Sequence, residues 1–211
     1  MNQWLDGLLG QLHSMSGWEA VAVVLAIAYL WLAMRQSQWC WPAAFVSTLI
    51  YAVIFWEVAL LSESLLSVYY MAMAIYGYWQ WRQGPRGDNG LPIHSWRWPR
   101  HLWLVSLTGL ASLLLGWLMA SYTQADFPYL DAATTCFAVV TTVLVARKVL
   151  ENWIYWFIID AVSIYLYVAK GLWLTAALFL LYLAMVVVGY WRWRQAHQLA
   201  RSHEQAPFAV A

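Results

Sequence analysis

Seven apolar stretches follow one another along the chain, at residues 17–34, 41–55, 60–78, 102–122, 132–146, 153–168 and 171–191, with polar breaks between them. A helix needs ~20 apolar residues to cross the hydrocarbon of a bilayer, with ~17 near the lower limit. Most stretches meet that length, and the short second and fifth are bracketed by turn residues and charges. The pattern predicts seven transmembrane helices and no strands. Residues 82–100 form the fullest interruption, with Gly84, Pro85, Gly87, Gly90, Pro92 and Pro99, and read as a loop after the third span. Trp4, Leu5, Leu8, Leu9 and Leu12 recur at helical spacing and predict a short amphipathic helix lying in the membrane surface. The polar segment after Trp193 is expected to be poorly ordered.

Composition agrees. Of 211 residues, 64% are hydrophobic and only 10% charged, and the mean hydropathy is +0.58. Soluble domains run at ~45–50% apolar and ~25% charged. Intrinsic disorder, a secreted disulfide scaffold and a nucleic-acid-binding module are excluded on the same figures. Cys40 and Cys136 stand far apart and form no metal or redox motif. No Lys or Arg precedes Arg35, so the N-terminus lacks a signal-peptide basic region.

The few charges are unevenly placed. Arg35, Arg82, Arg86, Arg97, Arg100, Arg147, Lys148, Arg192, Arg194 and Arg201 all fall on one side of a seven-span topology, leaving only Lys170 on the other. Basic residues collect in cytoplasmic loops, so the expected N-terminus is outside and the C-terminus cytoplasmic.

The chain also repeats itself. A shift of 112 residues lays 32–83 over 144–195 without a gap, with 15 identities in 52 positions, and the endings GYWQWRQ and GYWRWRQ match at six of seven. Spans one to three therefore correspond to spans five to seven, with span four as a linker. An odd linker makes the two halves enter the membrane in the same direction, a parallel repeat found in transporters that hold substrate near the midplane. The segments are 1–16 (interfacial), 17–83 (first three-helix repeat), 84–128 (loop and linker helix), 129–195 (second repeat) and 196–211 (cytoplasmic tail). This 3+1+3 layout is that of the SWEET sugar transporters, at the level of fold.

Eight of the ten acids stand at the periphery, or near enough to it, to be solvated; Glu63 lies one turn into its span, and Asp160 lies midway along span six. An ionised carboxylate at the bilayer centre costs ~2.5 kcal/mol or more, which makes Asp160 a ligand or proton site, or a protonated packing group. Trp153, Trp156 and Asp160 are spaced to share one helical face, and two indoles with a carboxylate suit a flat organic cation. Trp153 reads equally well as an interfacial anchor, as does its repeat partner Trp41. Glu63, Ser67 and Tyr70 share a face of span three, and their repeat partners are Thr175, Phe179 and Tyr182. An interfacial, solvated carboxylate is the simpler reading of Glu63. Thr134, Thr135, Thr141 and Thr142 either face the same cavity or bond to backbone and neighbouring helices. Trp79, Trp81, Trp191 and Trp193 read as interface anchors. The five histidines lie at termini and span edges, so no haem or metal site is expected. No catalytic pair and no nucleotide loop is present, so neither an enzyme nor ATP-driven transport is expected.

The runs at 41–81 and 131–193 resemble the PnuC family of bacterial vitamin transporters, with ARKxLENW, LYxxKGLxLT and GYxxW the most specific pieces. The resemblance implies a homotrimer of seven-span protomers in the bacterial cytoplasmic membrane. It also implies facilitated diffusion of an unphosphorylated vitamin, trapped afterwards by a cytoplasmic kinase, with no cofactor. Nicotinamide riboside members carry Asn where Asp160 stands, a Trp at Ile164, and glutamines where Ser67 and Thr142 stand. Asp160 is more like the thiamine-type (PnuT) members. Thiamine is thus the first expectation, nicotinamide riboside the second and riboflavin a lesser one. A vitamin receptor without translocation is the alternative of a different class.

Overall fold

In the computed structural model of the chain, residues 10–13, 15–57, 61–83 and 91–205 are described. Seven long helices run through them: α1 (Gly17–Met34), α2 (Cys40–Glu57), α3 (Leu61–Arg82), α4 (Trp98–Tyr122), α5 (Pro128–Ala146), α6 (Asn152–Ala169) and α7 (Trp173–Gln205). Six of these, all but α3, are long and apolar enough to cross a membrane. In α3, Glu63, Ser64 and Ser67 at one end and Gln80 and Arg82 at the other dilute the hydropathy.

The apolar runs locate the helices, and local chemistry sets their ends. Ser16 caps α1: its hydroxyl accepts from the Glu19 N–H while the Glu19 carboxylate accepts from the Ser16 N–H. α4 and α5 start several residues before their apolar runs, each with a proline in the first turn. Proline is tolerated there because those N–H groups have no intrahelical partner.

The largest departure from expectation is the C-terminus. The polar residues from Arg194 to Gln205 are helical and not disordered, α7 continuing unbroken to Gln205; the rest of the tail lies outside the described residues. His197 Nδ1 lies 2.9 Å from the Ile93 carbonyl, and Ala196 packs on the core, so tertiary contacts hold this polar extension in helical form. At the other terminus, Trp4, Leu5, Leu8 and Leu9 lie outside the described residues. Gln11 ties the N-terminal segment to the start of α7, donating to the Gly171 carbonyl (3.0 Å) and accepting from the Leu174 N–H (2.9 Å).

α1 packs on α2 and α7, α2 on α3, α3 on α5, α5 on α6, and α6 on α7, whereas α4 packs on α5. Positions 112 apart repeat one another in detail. α1 and α5 both end at an arginine, Arg35 (φ −88°, ψ 3°) and Arg147 (φ −89°, ψ 5°). Each is followed by a non-glycine residue in the left-handed region, Gln36 (φ 56°) and Lys148 (φ 50°). The closing bonds match as well: the Ser37 N–H reaches the Leu32 carbonyl and the Val149 N–H the Leu144 carbonyl, both at 3.0 Å.

The core at this arginine-rich end is built from tryptophan. Trp41 lies over Gly77 and edge-on to Trp81 at 5.4 Å; Trp153 lies over Gly189 and edge-on to Trp193 at 5.3 Å. Glycine is required at both positions, since a Cβ would stand 2.3 Å and 2.6 Å from the facing rings. Trp81 Nε1 donates to the Ala146 carbonyl (3.1 Å), and Trp193 Nε1 donates to the Ala33 carbonyl (3.0 Å). Trp41, Trp81 and Trp193 are therefore buried core residues and not interface anchors. Trp79 and Trp191, at 58% and 55% exposure, keep the anchor position.

The loop before α4 is clamped onto the turn between α5 and α6. The His94 N–H donates to the Lys148 carbonyl, and the Leu150 N–H donates to the His94 carbonyl. Glu151 accepts from the Ser95 hydroxyl and the Trp96 N–H. His101, at the start of α4, lies 3.0 Å from the Tyr155 hydroxyl and 3.6 Å from the Glu151 carboxylate. At the opposite end of the bundle Lys170 pairs with Asp131 at 2.9 Å.

Candidate substrate site

Asp160 is the ninth of the 18 residues of α6 and is 3% exposed. No hydrogen bond or ion pair from a described residue reaches its carboxylate. A buried carboxylate is ordinarily paired or hydrogen-bonded, so one without a partner among the described residues is a candidate for binding a ligand that supplies positive charge or donors. Ser163, one turn on, is buried beside it on the same face. Trp156, one turn before, is half-buried and packs against the core.

One tyrosine stands near this carboxylate, and the series it begins runs through five helices. Tyr182 of α7 lies within electrostatic range of Asp160 and of Tyr51 from α2. Tyr51 is in turn close to Tyr167 of α6, Tyr167 to Tyr70 of α3, and Tyr70 to Tyr29 of α1. Glu63 and Asp131 stand near Tyr167. Phenol groups offer both ring faces and hydroxyls, so this lining suits a planar heterocycle carrying polar substituents.

Several expected site residues take other roles. Trp153 shares the α6 face, but at 2% exposure its ring is largely covered by Gly189 and Trp193; its Nε1 has no hydrogen-bond partner among the described residues. The Ser67 hydroxyl donates to the Glu63 carbonyl (2.9 Å) and the Thr142 hydroxyl to the Ala138 carbonyl (2.8 Å). Both hydroxyls are satisfied within their own helices, and Thr134 behaves in the same way. Thr141 is the exception, with a buried hydroxyl that has no partner among the described residues. Glu63 is exposed, as an interfacial carboxylate should be. Tyr70 and Tyr182 remain in the cluster.

Tyr51, Tyr167 and Ser163 are candidate site residues that the sequence pattern does not single out. The repeat held the signal, because Tyr51 and Ser163 are 112 positions apart, as are Thr48 and Asp160. The same comparison explains why only one half carries the acidic site: Thr48 uses its hydroxyl on the Ala44 and Phe45 carbonyls, and Ala44 stands where Trp156 does.

Among the described residues no group of His, Cys, Asp and Glu is arranged to hold a metal. Both cysteines are free. Lys148, in the turn between α5 and α6, is fully buried; its ammonium lies 4.6 Å from the Trp81 ring centroid and 3.4 Å from the Gln36 carboxamide oxygen. Burial pushes it down to about 8, with the neighbouring Cys40 acting more weakly in the opposite direction.

A helical, multi-pass membrane protein with a buried mid-helix acid that pairs with no described residue, and a tyrosine beside it, fits the class of small-molecule membrane transporters. A family model described as "Nicotinamide mononucleotide transporter" matches residues 16–195, so the chain belongs to that family, the PnuC transporters. It is 26% identical over 178 residues to the riboflavin/roseoflavin transporter RibM of Streptomyces davaonensis, covering 83% of each chain. It is 26% identical over 184 residues to the nicotinamide riboside transporter PnuC of Escherichia coli, covering 75% of this chain and 77% of that one. The crystal structure of the vitamin B3 transporter PnuC superposes with a TM-score of 0.70 at 18% identity, covering 93% of this chain and 90% of that one. These relatives are transporters and not enzymes.

Proposed function

We propose that the protein carries an unphosphorylated, cationic heteroaromatic vitamin across the cytoplasmic membrane, with thiamine as its substrate. The single observation behind this choice is the buried Asp160 carboxylate without a partner. The thiazolium of thiamine offsets that charge and its aminopyrimidine supplies donors, while Trp156, Tyr51 and Tyr182 stack or hydrogen-bond around the rings. Tyr70 and Glu63 lie toward the other end of the tyrosine series, where substrate enters. Trp153, Ser67 and Thr142 support the packing around the site.

In this reading all seven helices cross the membrane as a 3+1+3 parallel repeat of the SWEET type, with α3 as the seventh span. Segments 17–83 and 129–195 are the repeats, and α4 is the linker. The matching turns at Arg35–Gln36 and Arg147–Lys148 support it. The concentration of arginine at one end supports an outside N-terminus and a cytoplasmic C-terminus. Transport is facilitated diffusion in a homotrimer, drawn inward by phosphorylation of the vitamin in the cytoplasm. Nicotinamide riboside is the second reading, supported by the PnuC relative and by the positive charge of its pyridinium.

Proteoliposomes loaded only with buffer test the mechanism. Labelled thiamine is expected to equilibrate without a gradient or ATP, and unlabelled thiamine inside is expected to accelerate exchange. Uptake of nicotinamide riboside with exclusion of thiamine would transfer the assignment to the second reading.

A further inference from the structure

We propose that the seam between α1 and α7, at the arginine-rich end of the bundle, binds the phosphate of one anionic phospholipid through Arg35 and Arg192. The guanidinium carbons of these residues lie 4.6 Å and 5.7 Å from the centroid of the same indole, Trp31, and so within about 10 Å of each other. Both side chains are exposed, and neither forms a hydrogen bond or ion pair with any described residue. Two like charges brought together without an acid repel, and an anion between them reverses the sign of that interaction. The planar fork of arginine matches the oxygens of a phosphate in bidentate fashion, and the indole holds both forks in place.

The internal repeat supplies a control within the molecule. The positions 112 away from Trp31, Arg35 and Arg192 are Val143, Arg147 and Gln80. The corresponding seam, α5 against α3, therefore closes with one arginine and no indole. Packing does not need the triad, which leaves ligand recognition as its role. The surroundings fit a lipid and not a free anion. Trp31, Val187, Val188 and Trp191 are between 42% and 55% exposed along the same seam and give acyl chains an apolar track. Arg194, over the Trp191 ring at 5.8 Å, adds a third positive charge at headgroup level.

Native mass spectrometry of the full-length protein in detergent tests this, with phosphatidylglycerol, phosphatidylcholine and inorganic phosphate as separate probes. One phosphatidylglycerol per chain is expected to be retained about tenfold more tightly than phosphatidylcholine. R35Q/R192Q is expected to abolish that preference, while R97Q/R147Q, with the same change in charge, keeps it. Should R35Q/R192Q fail to fold, W31L leaves every charge in place and is expected to weaken retention several-fold. Equal retention of the two lipids, equal behaviour of the two double variants, or displacement of the lipid by millimolar inorganic phosphate would overturn the proposal.

Discussion

Trp81 and Trp193 stand with ring centroids 6.0 Å apart, and each donates its indole N–H to a carbonyl at the end of the opposite half's first helix. Two residues 112 positions apart thus exchange the same bond across the bundle. The Ala146 carbonyl, at the end of α5, depends on its indole, whereas the Ala33 carbonyl, at the end of α1, also accepts from the Gln36 N–H (2.9 Å).

Replacing Trp81 leaves the buried Ala146 carbonyl without a donor, which costs about 1–3 kcal/mol on top of the lost packing, whereas replacing Trp193 leaves Ala33 its bond from the Gln36 N–H and costs mainly packing. W81F and W193F are expected to lower the thermal midpoint in detergent by several degrees. W79F and W191F, at exposed positions, are expected to change stability by less than about 0.5 kcal/mol.

Gly77 and Gly189 underlie Trp41 and Trp153. A Cβ at either position overlaps the ring, so G77A and G189A are expected to destabilise by about 1–3 kcal/mol through overpacking. G109A, where a Cβ meets nothing within 4 Å, is the matched control and is expected to be neutral or slightly stabilising in its helix. Thermal unfolding of the three variants checks the order.

Lys148 predicts a pH dependence. Burial holds its ammonium at about 8 in the folded protein, below its ordinary 10.5. Between those values the unfolded chain binds more protons than the folded one, so stability rises as pH climbs through this window. Below about 8 both states are protonated and the cost of the buried charge is felt in full. K148M is expected to lack this rise, and the difference between the two melting curves at pH 7.5 and 9.5 isolates it.

Tyr182 of α7 lies near Asp160, and Tyr51 of α2 lies near Tyr182. Y51F and Y182F each remove one hydroxyl and keep the ring. Each is expected to weaken vitamin binding about 3- to 10-fold, as loss of a hydrogen bond worth about 0.5–1.5 kcal/mol implies. Unchanged unfolding temperatures are expected alongside, which separates this effect from a folding defect.

The helices were legible in the sequence because the bilayer requires long apolar runs, and the repeat was legible because Trp, Gly and Arg recur at one fixed offset. Helix ends were less so: Pro99 reads as part of a loop, yet it stands in the first turn of α4. The extension of α7 past Trp193 depends on His197 reaching the loop at Ile93, a long-range contact that local polarity does not reveal. Asp160 stood out on its own, because an acid in mid-span has few innocent explanations. Its neighbours did not. Tyr51 comes from another helix and Tyr167 from two turns further along α6, and a tyrosine in a membrane helix carries no mark of whether it faces lipid or a site. Ser67 and Thr142 give their hydroxyl protons to their own backbone, as a hydroxyl in an apolar helix does first, and keep only acceptor capacity for a ligand. Trp81 and Trp193 were misplaced because interface anchors and core indoles share one composition, and only the carbonyl opposite each N–H distinguishes them.

The most direct test of the central claim is calorimetric titration of wild-type protein and D160N with thiamine, nicotinamide riboside and riboflavin. Asp160 paired with a cationic ring predicts tight binding of thiamine to the wild type. Removing one partner of a buried charge pair costs about 2–5 kcal/mol, so D160N is expected to lose at least about 30-fold in affinity while melting normally. Thiamine affinity that is the same in D160N and wild type, or wild-type protein that binds riboflavin and neither cation, would contradict the account.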